Sequence, residues 1–433
     1  MSSPTSVAGL DLTPRAGKTY RNFDREWSEE FIYFLLVDRF HDGRRRSPQP
    51  DSSARAAGSG DAQQLSDFCG GTLQGIQDNL DYIAGLGCTA LWLSPVFGNN
   101  PHAYHGYAIQ NYLDVDANFG SAQDLVDLVE AAHRRDMRVI LDVVTNHSGD
   151  NWSYQPDTAF FYFQDEQFPF GAFRPGREPV PTELRNSNFY HRRGQIRNFD
   201  AMPEAQHGDF FSLKDYNNDV DDPNDADAQA LVDVLIQAHC YWIREADVDG
   251  FRVDAVKHMG ASAVARFSSE VREYAESLGK RSFFLFGELI AGDDAINRYI
   301  GPNTPTQQGD QTVFFGLDSV LDFPLYFMLP QVLKGFAPPP ALFARYEAQR
   351  QRALSRGQLG QYLVTFLDNH DGVGQDHKQR FGADAPDEQV IAGVGYLLGA
   401  LGTPCVYYGT EQGFSGQGDG DMFIREAMFD LDA

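Results

Sequence analysis

The sequence predicts an α/β fold, a (β/α)8 TIM barrel, and three observations favour it. The chain has 433 residues, enough for a barrel of about 250 residues with insertions. Eight short runs rich in apolar, β-branched and aromatic residues alternate with segments of helical spacing, as in a parallel α/β sheet. Several runs end in a polar residue, and such residues project into a shared pocket at the C-terminal ends of buried strands.

The candidate strands are spread over most of the chain. They comprise residues 31–40, 90–96, 138–145, 250–255, 282–287, 320–325, 362–366 and 404–408. Between them, residues 122–135 and 228–245 repeat apolar side chains at helical spacing. Residues 41–70 are rich in Arg, Ser, Pro and Gly, and are predicted to form a long loop after the first strand.

Residues 149–218 break the alternation of strands and helices. This segment is much too long for a strand-to-helix loop, and its content of Phe, Pro and Arg favours a small excursion domain after the third strand. We therefore predict three parts. Residues 1–148 form the first part of the barrel, residues 149–218 the excursion, and residues 219–433 the remainder of the barrel.

Composition limits the partners and the compartment. The formal charge of −26 excludes nucleic acid as an expected partner, because a polyanion would be repelled, and it fits a neutral substrate such as a sugar polymer. No apolar run reaches the roughly 18 residues of a membrane span, and the N-terminus lacks the apolar core of a signal peptide. We expect a cytoplasmic protein without membrane partners, although the mature form of a secreted protein would also lack a signal peptide. The oligomeric state is left open.

Four motifs place polar side chains at the ends of predicted strands. They read RVILDVVTNHS (138–148), DGFRVDAVKH (249–258), FGEL (286–289) and FLDNHD (366–371). Three separate strands thereby each deliver one carboxylate, Asp254, Glu288 and Asp371. Retaining glycosidases need one carboxylate as nucleophile and one carboxylic acid as proton donor, about 5–5.5 Å apart. The three carboxylates therefore indicate glycosidic-bond chemistry rather than a binding surface.

These four motifs, in this order, resemble the four signature regions of the alpha-amylase superfamily, glycoside hydrolase family 13. The resemblance extends from about residue 31 to about residue 414 and implies a TIM barrel with a domain B inserted after the third strand. It implies cleavage of α-1,4-glucosidic bonds in starch- or glycogen-type glucans or maltooligosaccharides. Such proteins normally add a final helix and a C-terminal β-sandwich domain. We expect both to be absent here, with the barrel truncated after its eighth strand, because few residues follow that strand.

The resemblance also assigns roles to the carboxylates. Asp254 resembles the nucleophile, Glu288 the general acid/base, and Asp371 the third carboxylate, which binds sugar hydroxyls in the transition state. The acid/base role requires a raised pKa, which burial and nearby negative charge would supply to Glu288. Arg252 lies two residues before Asp254, hence on the same face of a strand, and is expected to lower the pKa of the Asp254 carboxyl.

Further residues are expected to bind substrate. His147 and His370 match histidines that hydrogen-bond the sugar at the point of cleavage, and Tyr107 of the His105–Tyr107 segment would stack on a sugar face. Lys257 and His258 resemble residues that line the leaving-group subsites of enzymes acting on α-1,4-linked glucans. The substrate-binding candidates are therefore His105, Tyr107, His147, Arg252, Lys257, His258 and His370.

The resemblance also implies one structural Ca²⁺ ion between the barrel and the excursion. Asn146, Asp215 and the backbone carbonyl of His258 match its ligands, and oxygen ligands from distant segments suit Ca²⁺. In the alternative interpretation, Asn146 caps a loop and Asp215 starts a turn. No organic cofactor is expected, because flanked GxGxxG and GxxxxGK[ST] patterns are absent from the sequence.

Two alternatives to hydrolysis remain open. If a sugar hydroxyl replaces water as acceptor, the protein is an α-glucan transglycosylase, and Phe210 and Phe211 of the excursion could favour this by lining acceptor subsites. A non-catalytic glycan-binding relative is the other alternative. Such proteins usually lack one or more of the catalytic carboxylates, whereas this chain retains all three.

Overall fold

The computed structural model describes residues 3–43, 67–300, 306–308, 311–313, 316–351, 353–354, 357–373, 378–416, 418 and 420–429. Within these residues, eight parallel strands form one sheet, and their order around it follows the chain. The strands are Ile32–Leu35, Ala90–Leu93, Arg138–Val143, Gly250–Val253, Phe284–Gly287, Ser319–Val320, Val364–Thr365 and Thr403–Tyr407. The eighth strand pairs with the first, and a parallel bridge between Leu321 and Val364 links the sixth to the seventh. The sheet therefore closes into a (β/α)8 barrel.

All eight predicted strands are found in this barrel, but two predicted runs extend too far. The first run ends early, in the short helix Val37–Phe40, and the sixth, residues 320–325, is cut short by a helix that begins at Phe323. Asp322 caps the latter helix, because its side chain accepts a hydrogen bond from the backbone N–H of Leu325 (3.0 Å). A short apolar run alone does not distinguish a buried strand from a buried helix, which explains the error.

Helices alternate with the barrel strands along the chain. The longer ones are Leu73–Asp78, Leu80–Gly85, Ala122–Arg134, Ala226–Ala246, Ala261–Ser277, Asp293–Tyr299, Phe323–Leu333, Pro340–Arg350 and Asp387–Gly399. The two helices predicted from apolar spacing, 122–135 and 228–245, are thus confirmed. The first begins with a capping box, in which the Ser121 hydroxyl accepts from the Asp124 N–H (3.3 Å) and the Asp124 carboxylate accepts from the Ser121 N–H (2.7 Å).

Shorter elements connect these units. Three-residue and four-residue 3₁₀ helices lie at Val7–Gly9, Trp27–Glu29, Thr182–Arg185, Ser187–Phe189, Val256–His258, Leu359–Gln361, Thr410–Gln412 and Asp421–Ile424. Two-stranded antiparallel pairs join Phe97–Asn99 with Ile109–Val115, Thr306–Gln308 with Gln311–Val313, and Ala353–Leu354 with Gly357–Gln358. Most of the loop predicted at residues 41–70 lies outside the described residues. In the part of the chain that the structure describes, no helix has the length and apolarity needed to cross a bilayer.

Every residue of the eight barrel strands is buried, as expected for parallel strands covered on both faces. The strands nevertheless contain three charged residues, Arg138, Asp142 and Arg252, none of which is more than 1% exposed. Buried charges are costly unless they are paired. The pairing of Asp142 and Arg252 positions the candidate active site.

The excursion leaves the barrel after the third strand. It begins and ends at a short antiparallel pair, His147–Ser148 with Lys214–Asp215, and contains a hairpin of Trp152–Tyr154 with Phe170–Phe173. The short helix Glu204–His207 lies near its end. The fold therefore has the predicted domain B excursion, whereas the exact division of the chain at residues 149 and 218 stays a prediction.

Candidate active site

A cavity of about 650 Å³ lies at the C-terminal ends of the barrel strands. Because neighbouring parallel strands end on the same side of the barrel, residues from distant parts of the chain meet there. Seven of the residues predicted from the motifs line it: His105, Tyr107, His147, Asp254, Glu288, His370 and Asp371. The three carboxylates follow the fourth, fifth and seventh strands and reach one common space, as predicted.

The guanidinium of Arg252 joins three carboxylates next to this cavity. Its Nη1 donates to Asp254 Oδ1 (2.8 Å) and to Asp142 Oδ1 (2.9 Å), and its Nη2 lies 3.0 Å from Glu288 Oε2. The side chains of Asp254 and Glu288 are 11% and 12% exposed, and that of Arg252 is 1% exposed. One positive charge is therefore shared among three largely buried carboxylates.

The backbone after the fourth strand sets the relative positions of Asp254 and Glu288. The Asp254 N–H donates to the Val143 carbonyl (2.9 Å) and the Glu288 N–H donates to the Val253 carbonyl (2.9 Å), so both residues extend the sheet. Ala255 then adopts a left-handed conformation with φ of 51°, and its N–H donates to Glu288 Oε2 (3.1 Å). This conformation is unfavourable for alanine, and the bond that it permits holds the Glu288 carboxylate next to Asp254.

Burial is the main influence on the pKa of both carboxyls. It raises the pKa of Glu288 to about 8, with Arg252 opposing the shift and Asp254 and Asp371 adding to it. It raises the pKa of Asp254 to about 6, again against the effect of Arg252. Arg252 lowers the pKa of Asp254 as predicted, but the prediction of a pKa below the ordinary value is wrong, because burial outweighs the effect of Arg252. The pKa of Asp254 still lies below that of Glu288, the order that a nucleophile and an acid require.

Asp371 is held by a residue from beyond the eighth strand. Arg425 Nη2 donates to Asp371 Oδ1 (2.9 Å), and Arg425 Nε donates to the His370 carbonyl (2.8 Å). Burial opposes the ionisation of Asp371, but the neighbouring His370 and Arg425 side chains lower its pKa to about 2. Because burial also lowers the pKa of His370 to about 3, His370 is neutral at neutral pH, and Arg425 is a cation in direct contact with the Asp371 carboxylate.

The predicted substrate-binding histidines are neutral and pack around Tyr107. Burial lowers the pKa of His105 to about 3 and that of His147 to about 4. His147 Nε2 donates to the Tyr107 carbonyl (3.2 Å), and the Tyr107 ring stacks on His370 with centroids 5.2 Å apart and an interplanar angle of 11°. The Tyr107 hydroxyl donates to Asp142 Oδ2 (2.7 Å). Stacking of Tyr107 on a sugar stays a prediction.

Lys257 and His258 contact the excursion and are absent from the cavity lining described above. Lys257 Nζ pairs with the Asp200 carboxylate, and His258 Nδ1 donates to the Ala205 carbonyl (2.6 Å). Phe210, which does line the cavity, packs edge-on against His258 with centroids 5.0 Å apart. His258 therefore adjoins the cavity through this phenylalanine, and the place of Lys257 and His258 in the leaving-group subsites stays a prediction.

Two residues of the site were not foreseen from the sequence. Asp142 binds Arg252, accepts from Tyr107, and also accepts from Trp92 Nε1 (3.2 Å), so it orients the guanidinium that serves Asp254. A carboxylate within the apolar run RVILDVV is the signal that could have found Asp142, because an unpaired Asp is rarely buried. No comparable signal marks Arg425.

Comparison with known proteins agrees with this geometry. The family profile described as "Alpha amylase, catalytic domain" matches residues 34–430. The chain belongs to the alpha-amylase family. An alpha-amylase of Streptomyces lividans is 30% identical over 451 residues, covering 93% of this chain and 46% of that protein. A cyclomaltodextrin glucanotransferase of Klebsiella oxytoca is 28% identical over 451 residues, covering 95% of this chain and 62% of that protein.

The solved structures show the same fold. The alpha-amylase of Geobacillus thermoleovorans, crystallised with acarbose, superposes with a TM-score of 0.69 and 28% identity, covering 94% of this chain and 75% of that one. The chain spans less than two thirds of the length of the two curated relatives described above. Family membership thus covers nearly the whole of this chain but only part of those relatives.

The ligands predicted for calcium in this alpha-amylase family chain fit such an ion. The strand pairing of His147 with Asp215 brings Asn146 beside Asp215, and the Tyr216 N–H donates to the Asn146 carbonyl (3.0 Å). Oδ1 of Asn146 and Oδ1 of Asp215 are both buried without a hydrogen bond. Such oxygens are costly to bury unless they bind a cation, and Ca²⁺ takes oxygen ligands. His258, whose carbonyl is the third predicted ligand, is buried beside the excursion.

A second hollow, of about 1080 Å³, lies away from the carboxylates. It is lined by the N-terminal segment and by the helices Ala122–Arg134 and Ala226–Ala246, including Tyr20 and His133. Active sites of TIM barrels lie at the C-terminal ends of the strands. The smaller cavity, which contains the carboxylates, is therefore the candidate active site of this family member.

Proposed function

We propose that this protein is a retaining glycoside hydrolase that cleaves α-1,4-glucosidic bonds in starch- or glycogen-type glucans or maltooligosaccharides. The observation that carries the proposal is the convergence of Asp254, Glu288 and Asp371 on one cavity. The pKa of Glu288 is raised to about 8, and that of Asp254 to about 6, so at neutral pH the first is protonated and the second is ionised. One acid and one nucleophile are thus available together.

In the first step, a carboxylate oxygen of Asp254 attacks the anomeric carbon of the bound sugar. The glycosidic C–O bond breaks as the Asp254–carbon bond forms, and the proton of Glu288 passes to the departing oxygen. The hydrogen bond from Ala255 N–H to Glu288 Oε2 leaves the other oxygen, Oε1, for that proton. Arg252, bound to Asp254 Oδ1, maintains the ionised form against burial.

In the second step, Glu288 is a carboxylate and acts as a base. It takes a proton from water, the water oxygen bonds to the anomeric carbon, and the bond from that carbon to Asp254 breaks. The product keeps the α-configuration after two inversions. Both carboxyls then have their initial protonation states, so the cycle needs no further reactant.

Asp371 supports both steps by binding sugar hydroxyls. Its Oδ1 accepts from Arg425 at 2.9 Å and its Oδ2 lies 3.3 Å from His370 Nε2, and because the side chain is 30% exposed the carboxylate can also reach a ligand in the cavity. Hydrogen bonds to hydroxyls next to the reacting carbon strengthen in the transition state. The neutral rings of His147 and His370, which also line the cavity, can donate or accept with the same sugar.

The substrate class follows from the relatives and from the chemistry of the cavity. The relatives are named alpha-amylase and cyclomaltodextrin glucanotransferase, and the structural neighbour holds acarbose. The cavity combines aromatic surfaces such as Tyr107 and Phe210 with polar groups, as expected of a site for neutral sugars. Ca²⁺, when bound by Asn146, Asp215 and the His258 carbonyl, would tie the excursion to the barrel.

Transglycosylation is the second candidate function. Phe210 and Phe211 both line the cavity, and Phe211 is 65% exposed with a left-handed φ of 58°. An exposed aromatic ring on the cavity wall offers a stacking surface for an acceptor sugar. An occupied acceptor subsite would favour a sugar hydroxyl over water in the second step.

Product analysis with maltoheptaose tests the proposal. We expect shorter oligosaccharides, released initially as the α-anomer, and slower or less durable activity after calcium chelation. Larger or cyclic products would instead establish the transferase. A folded protein that leaves maltoheptaose unchanged would contradict both, and the Asp254→Asn variant serves as the matched control for contaminating amylase.

A further inference from the structure

A cluster of two histidines and one aspartate lies beside the excursion, outside the cavity described above. His191 lies within the excursion, His207 ends the short helix Glu204–His207, and Asp219 precedes the helix Ala226–Ala246. One side-chain nitrogen or oxygen from each residue lies within 4.8 Å of those of the other two. Among the residues that the structure describes, this is the only such group of three or more His, Cys, Asp or Glu side chains.

The three side chains converge on one point. His191 Nε2 lies 3.3 Å from Asp219 Oδ2, and His207 Nε2 lies 3.2 Å from the same oxygen. Two ligand atoms bound tetrahedrally to one zinc ion, at about 2.0–2.1 Å each, are about 3.3 Å apart. The imidazole rings are already side by side, with centroids 4.5 Å apart. An ion could therefore be bound with only small side-chain movements.

One of the nitrogens is buried and faces the carboxylate of the cluster. His191 is 6% exposed, and its Nε2 lies 3.3 Å from Asp219 Oδ2. Its other nitrogen, Nδ1, donates to Asp215 Oδ2 (2.5 Å), which fixes the ring and directs Nε2 at the cluster, where a metal ion would replace the proton on Nε2. A carboxylate that orients a histidine through its second nitrogen is the usual support of a metal-binding histidine.

The geometry points to a divalent transition-metal site in which His191, His207 and Asp219 are the protein ligands. Two imidazoles and one carboxylate form a donor set of zinc, whereas Ca²⁺ takes oxygen ligands only. The side chains of His207 and Asp219 are 25% and 45% exposed, so an ion can enter and water can complete its coordination.

The inference is independent of the proposed hydrolysis. The ion would tie together three segments of the chain, and the segment of His207 continues, three residues later, into Phe210 of the cavity lining. Asp215 would lie between this ion and the predicted calcium, because its Oδ2 orients His191 and its Oδ1 is left for Ca²⁺. The two sites are therefore distinguishable by their ligands even though they are neighbours.

Zinc binding by the full chain tests the site. The protein is stripped of metal, saturated with Ca²⁺, and titrated with Zn²⁺, and bound zinc is counted after dialysis. We expect one Zn²⁺ per chain, a rise in melting temperature with zinc, and an intense visible spectrum of four-coordinate Co²⁺ when cobalt replaces zinc. His207→Gln should weaken zinc binding by more than about tenfold, the lower limit for loss of even an outer-sphere partner.

Matched variants make the result decisive. His133→Gln removes a different histidine that also lies beside two aspartates, Asp247 and Asp249, and should leave the zinc count unchanged. Asp219→Asn, at an exposed position, repeats the test should His207→Gln fail to fold. The inference is overturned if no zinc is retained, if calcium displaces all of it, or if the folded variants bind zinc like the parent protein.

Discussion

The two ends of the barrel both bury charged side chains, and they differ in how these charges are paired. At the N-terminal ends of the strands, Lys280 Nζ binds Asp247 Oδ1 (2.6 Å) and Asp249 Oδ1 (2.9 Å), and His133 Nε2 lies 2.8 Å from Asp249 Oδ2. At the C-terminal ends, Arg252 alone serves three carboxylates. The first arrangement provides two basic side chains for two carboxylates, whereas the second provides one for three.

The pKa values of the carboxyl groups shift in opposite directions at the two ends. Burial opposes charge at both ends, but Lys280 and His133 outweigh it and lower the pKa of Asp249, and the same carboxylates raise the pKa of Lys280. At the other end burial prevails, and the pKa values of Asp254 and Glu288 are both raised. The paired charges at the N-terminal end favour the folded state, whereas the raised pKa values at the C-terminal end favour proton transfer. The two ends of the barrel therefore contribute to stability and to chemistry separately.

Replacing the nucleophile candidate should have the largest effect. Asp254→Asn removes the attacking oxygen but keeps the shape of the side chain, so we expect activity on maltoheptaose to fall on the order of 10⁴- to 10⁶-fold. Binding of oligosaccharide, measured by calorimetry, should survive. A variant with near-normal turnover would show that Asp254 is not the nucleophile.

Replacing the acid/base candidate should have the next largest effect. Glu288→Gln cannot donate a proton, so activity on maltooligosaccharides should fall by about 10²- to 10⁴-fold. The parent protein should lose activity above about pH 8 as Glu288 ionises, and this alkaline limb should vanish in the variant. A glucosyl fluoride, whose leaving group needs no proton, should restore the first step. Equal defects on both substrates would contradict the assignment.

At the N-terminal end of the barrel, where Lys280 pairs with two aspartates, we expect a substitution to lower stability. Lys280→Met leaves Asp247 and Asp249 buried without their lysine, which should cost about 3–5 kcal/mol of unfolding free energy. Arg134→Met, which breaks an exposed pair with Glu130, is the matched control and should cost at most about 1 kcal/mol. Denaturant unfolding measures both. Similar losses in the two variants would refute the comparison between buried and exposed pairs.

The fold could be predicted because barrel strands covered on both faces leave a simple pattern in the sequence. Runs such as residues 138–145 and 250–255 are rich in apolar residues, and polar side chains follow where each strand ends, Asn146 and His147 after the first and Asp254 after the second. The pattern failed at residues 320–325, where an apolar run becomes a helix capped by Asp322. Apolar periodicity reports burial more reliably than it reports the type of element.

The site could be predicted only where a motif carried its residues. The electrostatic balance among the carboxylates is a property of the folded cavity, so the raised pKa of Asp254 could not be derived from its spacing to Arg252. Arg425 reaches Asp371 across 54 positions of sequence. His191, His207 and Asp219 likewise form no recognisable spacing.

The unforeseen Arg425 gives a smaller prediction. Arg425→Met removes the hydrogen bonds to Asp371 and to the His370 carbonyl, so kcat/KM should fall by about 10- to 100-fold, the equivalent of one charged hydrogen bond. The pKa of Asp371 should rise toward its ordinary value, since Arg425 helps to keep it low. Arg425→Lys should recover part of the loss. Unchanged kinetics in the methionine variant would exclude a positioning role.

The unforeseen Asp142 gives the smallest and most specific prediction. Asp142→Asn removes one of the negative charges that raise the pKa of Asp254, and it also leaves more of the Arg252 charge to Asp254. Both effects favour the ionised nucleophile, so the acid limb of kcat/KM, expected near pH 6 in the parent protein, should move down by about one pH unit. Kinetics between pH 4 and pH 9, with the parent protein as reference, would show the shift of the acid limb. An acid limb that stays in place, or moves up, would mean that burial alone sets this pKa and that the excess of carboxylates around Arg252 does not tune the chemistry.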